Sequence, residues 1–132
     1  GADHGWHMRT PSHPRLSRVA HLIDTILPLT PAVVRPSRHV SGMVELPGSM
    51  LLMGRNGLRK LVLPGMLEFK AKQGLRAAAR EKSVFHLWFH PSNFYYEPES
   101  QLATLEAIVT EAAALRQRES LEVLPMGGFA NV

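Results

Sequence analysis

Two histidines and one tryptophan lie at alternate positions in a short segment of the chain, residues 84–90. The segment is rich in β-forming residues and reaches Pro91 without a breaker, so it predicts a strand. Because side chains along a strand alternate between its faces, His86, Trp88 and His90 share one face. Four residues at about 3.3 Å each separate the two histidine Cα atoms by roughly 13 Å. Histidine–metal bonds are only about 2 Å long, so this pair by itself does not predict a metal clamp.

His90 is the candidate for acid–base chemistry in this segment. It stands at the carboxyl end of the predicted strand, directly before a Pro-Ser-Asn loop. In barrels and open α/β sheets, active sites form at the carboxyl ends of the strands. The position and the residue type therefore fit a general acid or base, while a purely structural histidine is the alternative. His86, earlier in the strand, is expected to be a hydrogen-bonded interior residue.

A second set of metal-ligand residue types lies near the amino terminus: Asp3, His4 and His7. Aspartate and imidazole bind metal ions, and a His-x-x-His spacing can converge on one ion. A metal site here and a mobile terminus without an organised site both fit the pattern. Residues 1–14 are expected to form a flexible segment, and the His7-Met8 junction would suit a cloning remnant in part of it.

Prolines divide the first half of the chain into short elements. A helix is predicted over residues 15–27, where apolar residues recur at helical spacing, and a proline-rich loop follows over residues 28–36. One or two short strands are predicted within residues 42–53, with a break at Pro47-Gly48.

The second half of the chain predicts two longer helices. Pro64 suits the first position of a helix that runs to about Lys82, although Gly74 weakens its interior. Pro98 would open the next helix. Its apolar stripe is expected to face the core: Leu102, Leu105, Ile108, Val109, Ala112 and Leu115.

A last strand is predicted at residues 121–124, before Pro125. Strand, helix and strand in the last fifty residues form a βαβ unit, so strands 84–90 and 121–124 are expected to be parallel neighbours. The predicted fold class is α/β, with one domain over residues 15–132. A length of 132 residues suits one small domain.

Composition excludes several classes of protein. The chain has no cysteine, which excludes a disulfide scaffold, a cysteine-ligated zinc site and a thiol nucleophile. Its apolar runs are all shorter than the roughly 18 residues of a membrane span, and it shows no secretory leader, so a cytoplasmic location is expected.

Charge is spread unevenly along the chain. Residues 54–82 contain eight basic and two acidic side chains, whereas residues 83–132 contain two basic and six acidic ones. The basic segment could bind phosphate, an acidic polymer or a membrane surface, or it could form a solvated helix face. Aromatic residues do not alternate with the basic ones, which argues against a nucleic-acid partner.

The segment Val-Phe-His-Leu-Trp-Phe-His-Pro-Ser-Asn-Phe at residues 84–94 resembles the last motif of the NodB-like polysaccharide deacetylases. Gly-Met-Val-Glu-Leu-Pro-Gly-Ser at residues 42–49 is similar to the strand that precedes that motif in this family. The resemblance extends over about residues 35–130 and is most specific at residues 84–94.

The resemblance implies a (β/α) barrel that removes N-acetyl groups from sugars with a bound divalent metal. In that family a metal-bound water attacks the acetyl carbonyl, an aspartate acts as base, and a histidine of the last motif protonates the leaving amine. His90 matches this histidine. Trp88 would line the sugar pocket, and Asn93 would hydrogen-bond a sugar hydroxyl.

Arg35 and Arg38, on either side of Pro36, are candidates to contact an anionic sugar. They could equally pair with carboxylates or lie in a solvated loop.

The chain departs from the family at its metal-binding motifs. The Asp-Asp and His-x-x-x-His segments of the family precede everything matched here, and the only aspartates of this chain are Asp3 and Asp24. A complete (β/α) barrel takes about 250 residues. The chain is therefore expected to form a partial barrel, the carboxyl-terminal part of such a domain. Zinc or another divalent metal would bind only if another segment or chain completes the site.

Two functions follow from these expectations. The first is a carbohydrate deacetylase-like domain that acts on a sugar substrate and is inactive alone. The alternative is a non-catalytic interaction module that self-associates, since half a barrel leaves strand edges and apolar helix faces uncovered.

Overall fold

The structure is a computed structural model that describes residues 30–118 and 120–129. The helix predicted over residues 15–27, the segment 1–14 and the Asp3, His4 and His7 cluster lie outside the described residues. Within residues 30–118 and 120–129, no helix is long and apolar enough to cross a membrane.

The described residues form a mixed α/β unit of two helices and two small sheets. The bounds of the strands and helices are β1 Ser37–Arg38, β2 Val44–Glu45, β3 Met50–Leu51, α1 Pro64–Glu81, β4 Leu87–Trp88 and α2 Pro98–Gln117. Three short 3₁₀ turns lie at Gly57–Leu61, Pro91–Phe94 and Met126–Phe129. β1 and β2 pair antiparallel, and β3 and β4 pair parallel. These residues contain one parallel pair and do not form a closed barrel.

The parallel pair is joined through α1, so the βαβ unit is β3–α1–β4. The predicted unit built from strands 84–90 and 121–124 is wrong, because residues 121–124 are irregular. Leu121 packs against the core, whereas Val123 and Leu124 are exposed. A segment with so little buried surface has no apolar face that a sheet could stabilise. The predicted strand at residues 84–90 is also shorter than expected: only Leu87–Trp88 is a strand, with an isolated bridge at Val84.

Helix α1 confirms the prediction from Pro64 to about Lys82. Pro64 occupies its first turn, where a missing N–H costs nothing, and Lys82 ends it in the left-handed region with φ of 50°. Leu67, Ala71 and Leu75 recur every four residues and bury one face of the helix. This face forms most of the core together with Met50, Leu52, Val62 and Ile108.

Helix α2 begins at Pro98 as predicted, and four residues of its predicted stripe contact the core: Leu105, Ile108, Ala112 and Leu115. Gln101, Thr104 and Ile108 are buried, whereas Leu102 and Val109 are each 56% exposed. Residues three and four apart share a helix face, so a face centred on Ile108 includes the two polar residues one and two turns before it. The prediction that Leu102 and Val109 face the core is wrong for the described chain.

Gly74 has a packing role in the middle of α1. A Cβ atom built at Gly74 would lie 2.3 Å from ring carbon Cε2 of Phe85. Phe85 packs against the core cluster, so its ring has little room to move. The glycine that weakens the helix therefore admits the aromatic ring that follows it.

We expect Gly74→Ala to destabilise the fold by about 1 kcal/mol, because overpacking costs about 1–3 kcal/mol and the gain in helix propensity is about 1 kcal/mol. The matched control is Gly65→Ala in the same helix, where an added Cβ meets nothing within 4 Å. The control should be neutral or slightly stabilising. Urea denaturation of both variants measures the difference, and equal stability of the two would contradict the packing role of Gly74.

One ion pair joins the two helices across their exposed side. Arg76 Nε lies 2.8 Å from Glu111 Oε1 and donates a hydrogen bond to it. That hydrogen bond is the main cause that holds the pKa of Glu111 below its ordinary value, and the charges of Lys72 and Arg118 act in the same direction. Ionised Glu111 is therefore favoured in the folded chain.

This pair predicts a loss of stability in acid. A lowered folded-state pKa contributes stability above the ordinary glutamate value of about 4.3, and the contribution disappears as the pH falls through the lowered pKa. We expect Glu111→Gln to lower the melting temperature at a pH of about 7, and the difference to narrow below a pH of about 4. Glu106→Gln, at an exposed position of the same helix, is the control. A difference between Glu111→Gln and the original chain that is constant with pH would rule out this titration.

Candidate functional site

The candidate site lies at the carboxyl edge of the parallel pair β3–β4. The backbones of the two strands stay together through Leu52, whose N–H donates to Trp88 O at 2.9 Å. Beyond this point the two segments separate. Residues 53–55 continue from β3, and residues 89–94 continue from β4. Ligands of open α/β sheets bind at the carboxyl ends of parallel strands, so this edge is where chemistry is expected.

Trp88 and His90 contact each other on the outside of this edge. Their ring centroids are 5.3 Å apart and the rings are nearly perpendicular, at 87°. His90 is exposed, and Trp88 is 38% exposed. The shared face predicted from strand alternation is confirmed for these two residues. The His90 ring is thus accessible to solvent beside an aromatic surface.

The Trp88 indole packs on bare backbone at Gly48. An added Cβ at Gly48 would lie 2.7 Å from the indole Nε1 atom. Pro47 and Gly48 separate β2 from β3, as the sequence predicts, so the break in the strand also makes room for the tryptophan. The orientation of Trp88 therefore depends on a glycine forty residues before it.

His86 precedes Trp88 in the chain. Its Nδ1 atom lies 3.2 Å from Pro47 O, within hydrogen-bond distance, and its backbone N–H donates to Ser49 Oγ at 3.1 Å. His86 is hydrogen-bonded as expected, but it is half-buried instead of interior.

Asn93 holds the backbone of His90 at the start of the turn Pro91–Phe94. The His90 N–H donates to Asn93 Oδ1 at 2.7 Å, and the Asn93 N–H donates to His90 O at 2.9 Å. Both hydrogen bonds join the same two residues, His90 and Asn93. Asn93 therefore fixes the direction in which the chain leaves β4.

Gln101 lies beneath this edge and was not a sequence candidate. It comes from α2, where it is 1% exposed, and its Nε2 donates to Met53 O at 2.7 Å and to Asn93 O at 3.2 Å. The sequence carries one signal for it, a polar residue at the helical spacing of the buried Thr104 and Ile108.

Arg55 and Glu97 form a second link between the loop after β3 and the start of α2. Arg55 Nε lies 2.7 Å from Glu97 Oε2. The same guanidinium donates to the carbonyls of Val62 and Lys60, each at 3.4 Å. The sequence pattern did not predict this ion pair.

The basic segment 54–82 contains several side chains that already pair with carboxylates. Ion pairs with carboxylates are formed by Arg55, Lys72, Arg76 and Arg80. Their charge is in part neutralised within the chain, which favours the interpretation as solvated helix faces.

Arg35 and Arg38 lie on a different part of the structure from His90. Val34 and Val84 form an antiparallel bridge, with both N–H···O distances at 2.8 Å. Because the two segments run in opposite directions there, the chain that contains Arg35 and Arg38 leads away from His90. Both arginines are exposed. A contact with the same sugar unit as His90 is therefore not supported by this placement.

A cavity of about 410 Å³ lies between α1 and α2 and not at the carboxyl edge. It is lined by Lys72, Ala103, Glu106, Ala107, Thr110, Glu111 and Ala114. The site residues predicted from the sequence do not border it.

The residues that the structure describes contain no group of three or more histidine, aspartate or glutamate side chains that could hold a metal ion.

Comparison of the whole chain with protein-family models, with curated proteins and with solved structures finds no match in any of the three.

Proposed function

We propose that the carboxyl edge of β3–β4 is the sugar-binding and proton-donating part of a carbohydrate N-deacetylase site. The observation that carries the proposal is the contact between Trp88 and His90, two exposed rings at the end of a parallel strand. A flat indole packs against the apolar face of a pyranose, and an adjacent imidazole can exchange a proton with the bound sugar. The resemblance at residues 84–94 supports the same pairing of roles.

The reaction is the hydrolysis of an acetamide on a sugar. Water adds its oxygen to the acetyl carbon and gives up a proton to a base from another segment or chain, the carbon–nitrogen bond breaks, and the bonding electron pair leaves with the nitrogen. His90 protonates that nitrogen, so that the products are acetate and an amino sugar. A divalent metal, like the base, would be supplied by another segment or chain.

Asn93 has a more specific role than the one predicted from the sequence. Its Oδ1 atom accepts from the His90 backbone, so a sugar hydroxyl would be bound by its Nδ2 atom instead. Arg35 and Arg38, which lead away from His90, would contact a different unit of an extended anionic polysaccharide. We also propose that β3–α1–β4 is part of a larger (β/α) barrel, since parallel strands joined by a helix are its repeating unit.

Sugar binding at Trp88 is tested by saturation-transfer NMR with N-acetylated chitooligosaccharides. We expect Trp88→Ala to weaken binding by about tenfold, which corresponds to the loss of about 1.4 kcal/mol of ring contact. Gly48→Ala should weaken it too, because the added methyl group displaces the indole. His90→Gln should bind as before, since its role is in the chemical step.

Phe69→Ala is the matched control, because Phe69 is an exposed aromatic residue on α1. Equal losses in Trp88→Ala and Phe69→Ala would contradict a sugar site at the edge. In an acetate-release assay with added zinc or cobalt, the chain alone is expected to show no turnover. Turnover would show that it contains a complete site after all.

A second candidate function is self-association as a non-catalytic module. Leu102 and Val109 are more than half exposed and lie seven residues apart on one face of α2. Two copies of such a helix can bury this face against each other about a two-fold axis. Within residues 30–118 and 120–129, the short two-stranded sheets also leave backbone edges open.

Light scattering tests this alternative. The module is expected to be a dimer that the double variant Leu102→Ser with Val109→Ser converts to a monomer, since each substitution removes apolar area from the shared face. Val40→Ser, at a fully exposed position in the turn between β1 and β2, is the control. A monomer at all concentrations of the unaltered chain would exclude this function.

A further inference from the structure

One buried amide links the two loops that form the carboxyl edge. Met53 comes two residues after β3, and Asn93 lies in the turn after β4. Gln101 Nε2 donates to the backbone oxygens of both residues. The two loops, forty residues apart in the chain, are thus held by a single side chain.

The link continues from Asn93 to His90. Asn93 accepts the His90 N–H through its side chain and donates its own N–H to His90 O. A change in the position of the Asn93 backbone therefore changes the direction of the His90 backbone, and with it the contact between the His90 and Trp88 rings. Gln101 reaches His90 in two hydrogen-bonded steps.

The two ends of the Gln101 amide differ in their hydrogen bonding. Its Oε1 atom is buried without a hydrogen-bond partner among the described residues. A buried acceptor without a donor destabilises a fold, whereas the Nε2 atom of the same amide satisfies Met53 O and Asn93 O. The amide is thus stabilised on its donor side only, which is the side that contacts the two loops.

We infer that Gln101 is a positioning residue that holds the His90 ring beside Trp88. It does not touch the sugar, because it is 1% exposed. It acts through the backbone of Asn93. The inference rests on the proposed function in treating His90 as the group that acts on the sugar.

The test is NMR of Gln101→Leu, with the His90 ring and amide signals assigned through His90→Gln. We expect the His90 amide proton to exchange about tenfold faster, because loss of the Gln101 link loosens the turn that holds it. The His90 ring signals should also move, since the ring leaves its place beside the Trp88 indole. Sugar binding should fall several-fold, because the Asn93 amide that binds a sugar hydroxyl is displaced with the turn.

Thr104→Val is the matched control. Thr104 is buried on the same helix, and its hydroxyl donates to Ser100 O within that helix at 2.9 Å. This variant should leave the His90 signals unchanged. His90 signals that are unchanged in folded Gln101→Leu, or changed equally in Thr104→Val, would overturn the inference.

A measurement on the unaltered chain covers the case in which Gln101→Leu does not fold. The side-chain amide protons of Gln101 should exchange slowly with solvent, because both are enclosed and the donor bonds are short. Fast exchange would overturn the inference. Displaced His90 signals in Gln101→Leu, without sugar binding by the original chain, would uphold the positioning role and remove the proposed function. Sugar binding with undisplaced His90 signals would do the reverse.

Discussion

The parallel ladder between β3 and β4 brings every residue of the candidate edge into place. Ser49 and Met50 donate their N–H groups to His86 O, and Leu52 donates to Trp88 O. These few bonds join segments about forty residues apart, and α1 covers the pair from one side. The core side chains Met50 and Leu52 lie on the same short segment, so hydrophobic burial and backbone pairing stabilise the same contact.

Several contacts also stabilise the start of α2. Glu97 has a φ of 53°, a left-handed conformation that is unfavourable for a residue with a Cβ atom, and it directly precedes Pro98. Its carboxylate pairs with Arg55, whose other nitrogens bond two backbone carbonyls. Glu97 O accepts the Gln101 N–H at 3.1 Å. An unfavourable backbone conformation is thus compensated by contacts, and it sets the angle from which Gln101 enters the edge.

The sequence predicts the two described helices, α1 and α2, well because their boundaries are local. Prolines at 64 and 98 open them, and the shared face of Trp88 and His90 follows from strand alternation. The buried face of α2 was not predictable in the same way, because which of Leu102 and Gln101 points inward depends on carbonyls that lie elsewhere in the chain. Gln101 and Met53 are 48 residues apart, and Arg55 and Glu97 are 42 apart. The prediction of a strand at residues 121–124 was wrong, because β-propensity without a partner surface does not make a strand.

The contacts of Gly48 with Trp88 and of Gly74 with Phe85 limit how the sequence can change over evolution. At Gly48 and at Gly74, an added methyl group would overlap the neighbouring aromatic ring. Each glycine and its aromatic partner must therefore change together, and a larger residue at 48 or 74 requires a smaller one at 88 or 85. In a set of related sequences these two pairs would covary, and that pattern would distinguish true relatives from chains that share only the histidines.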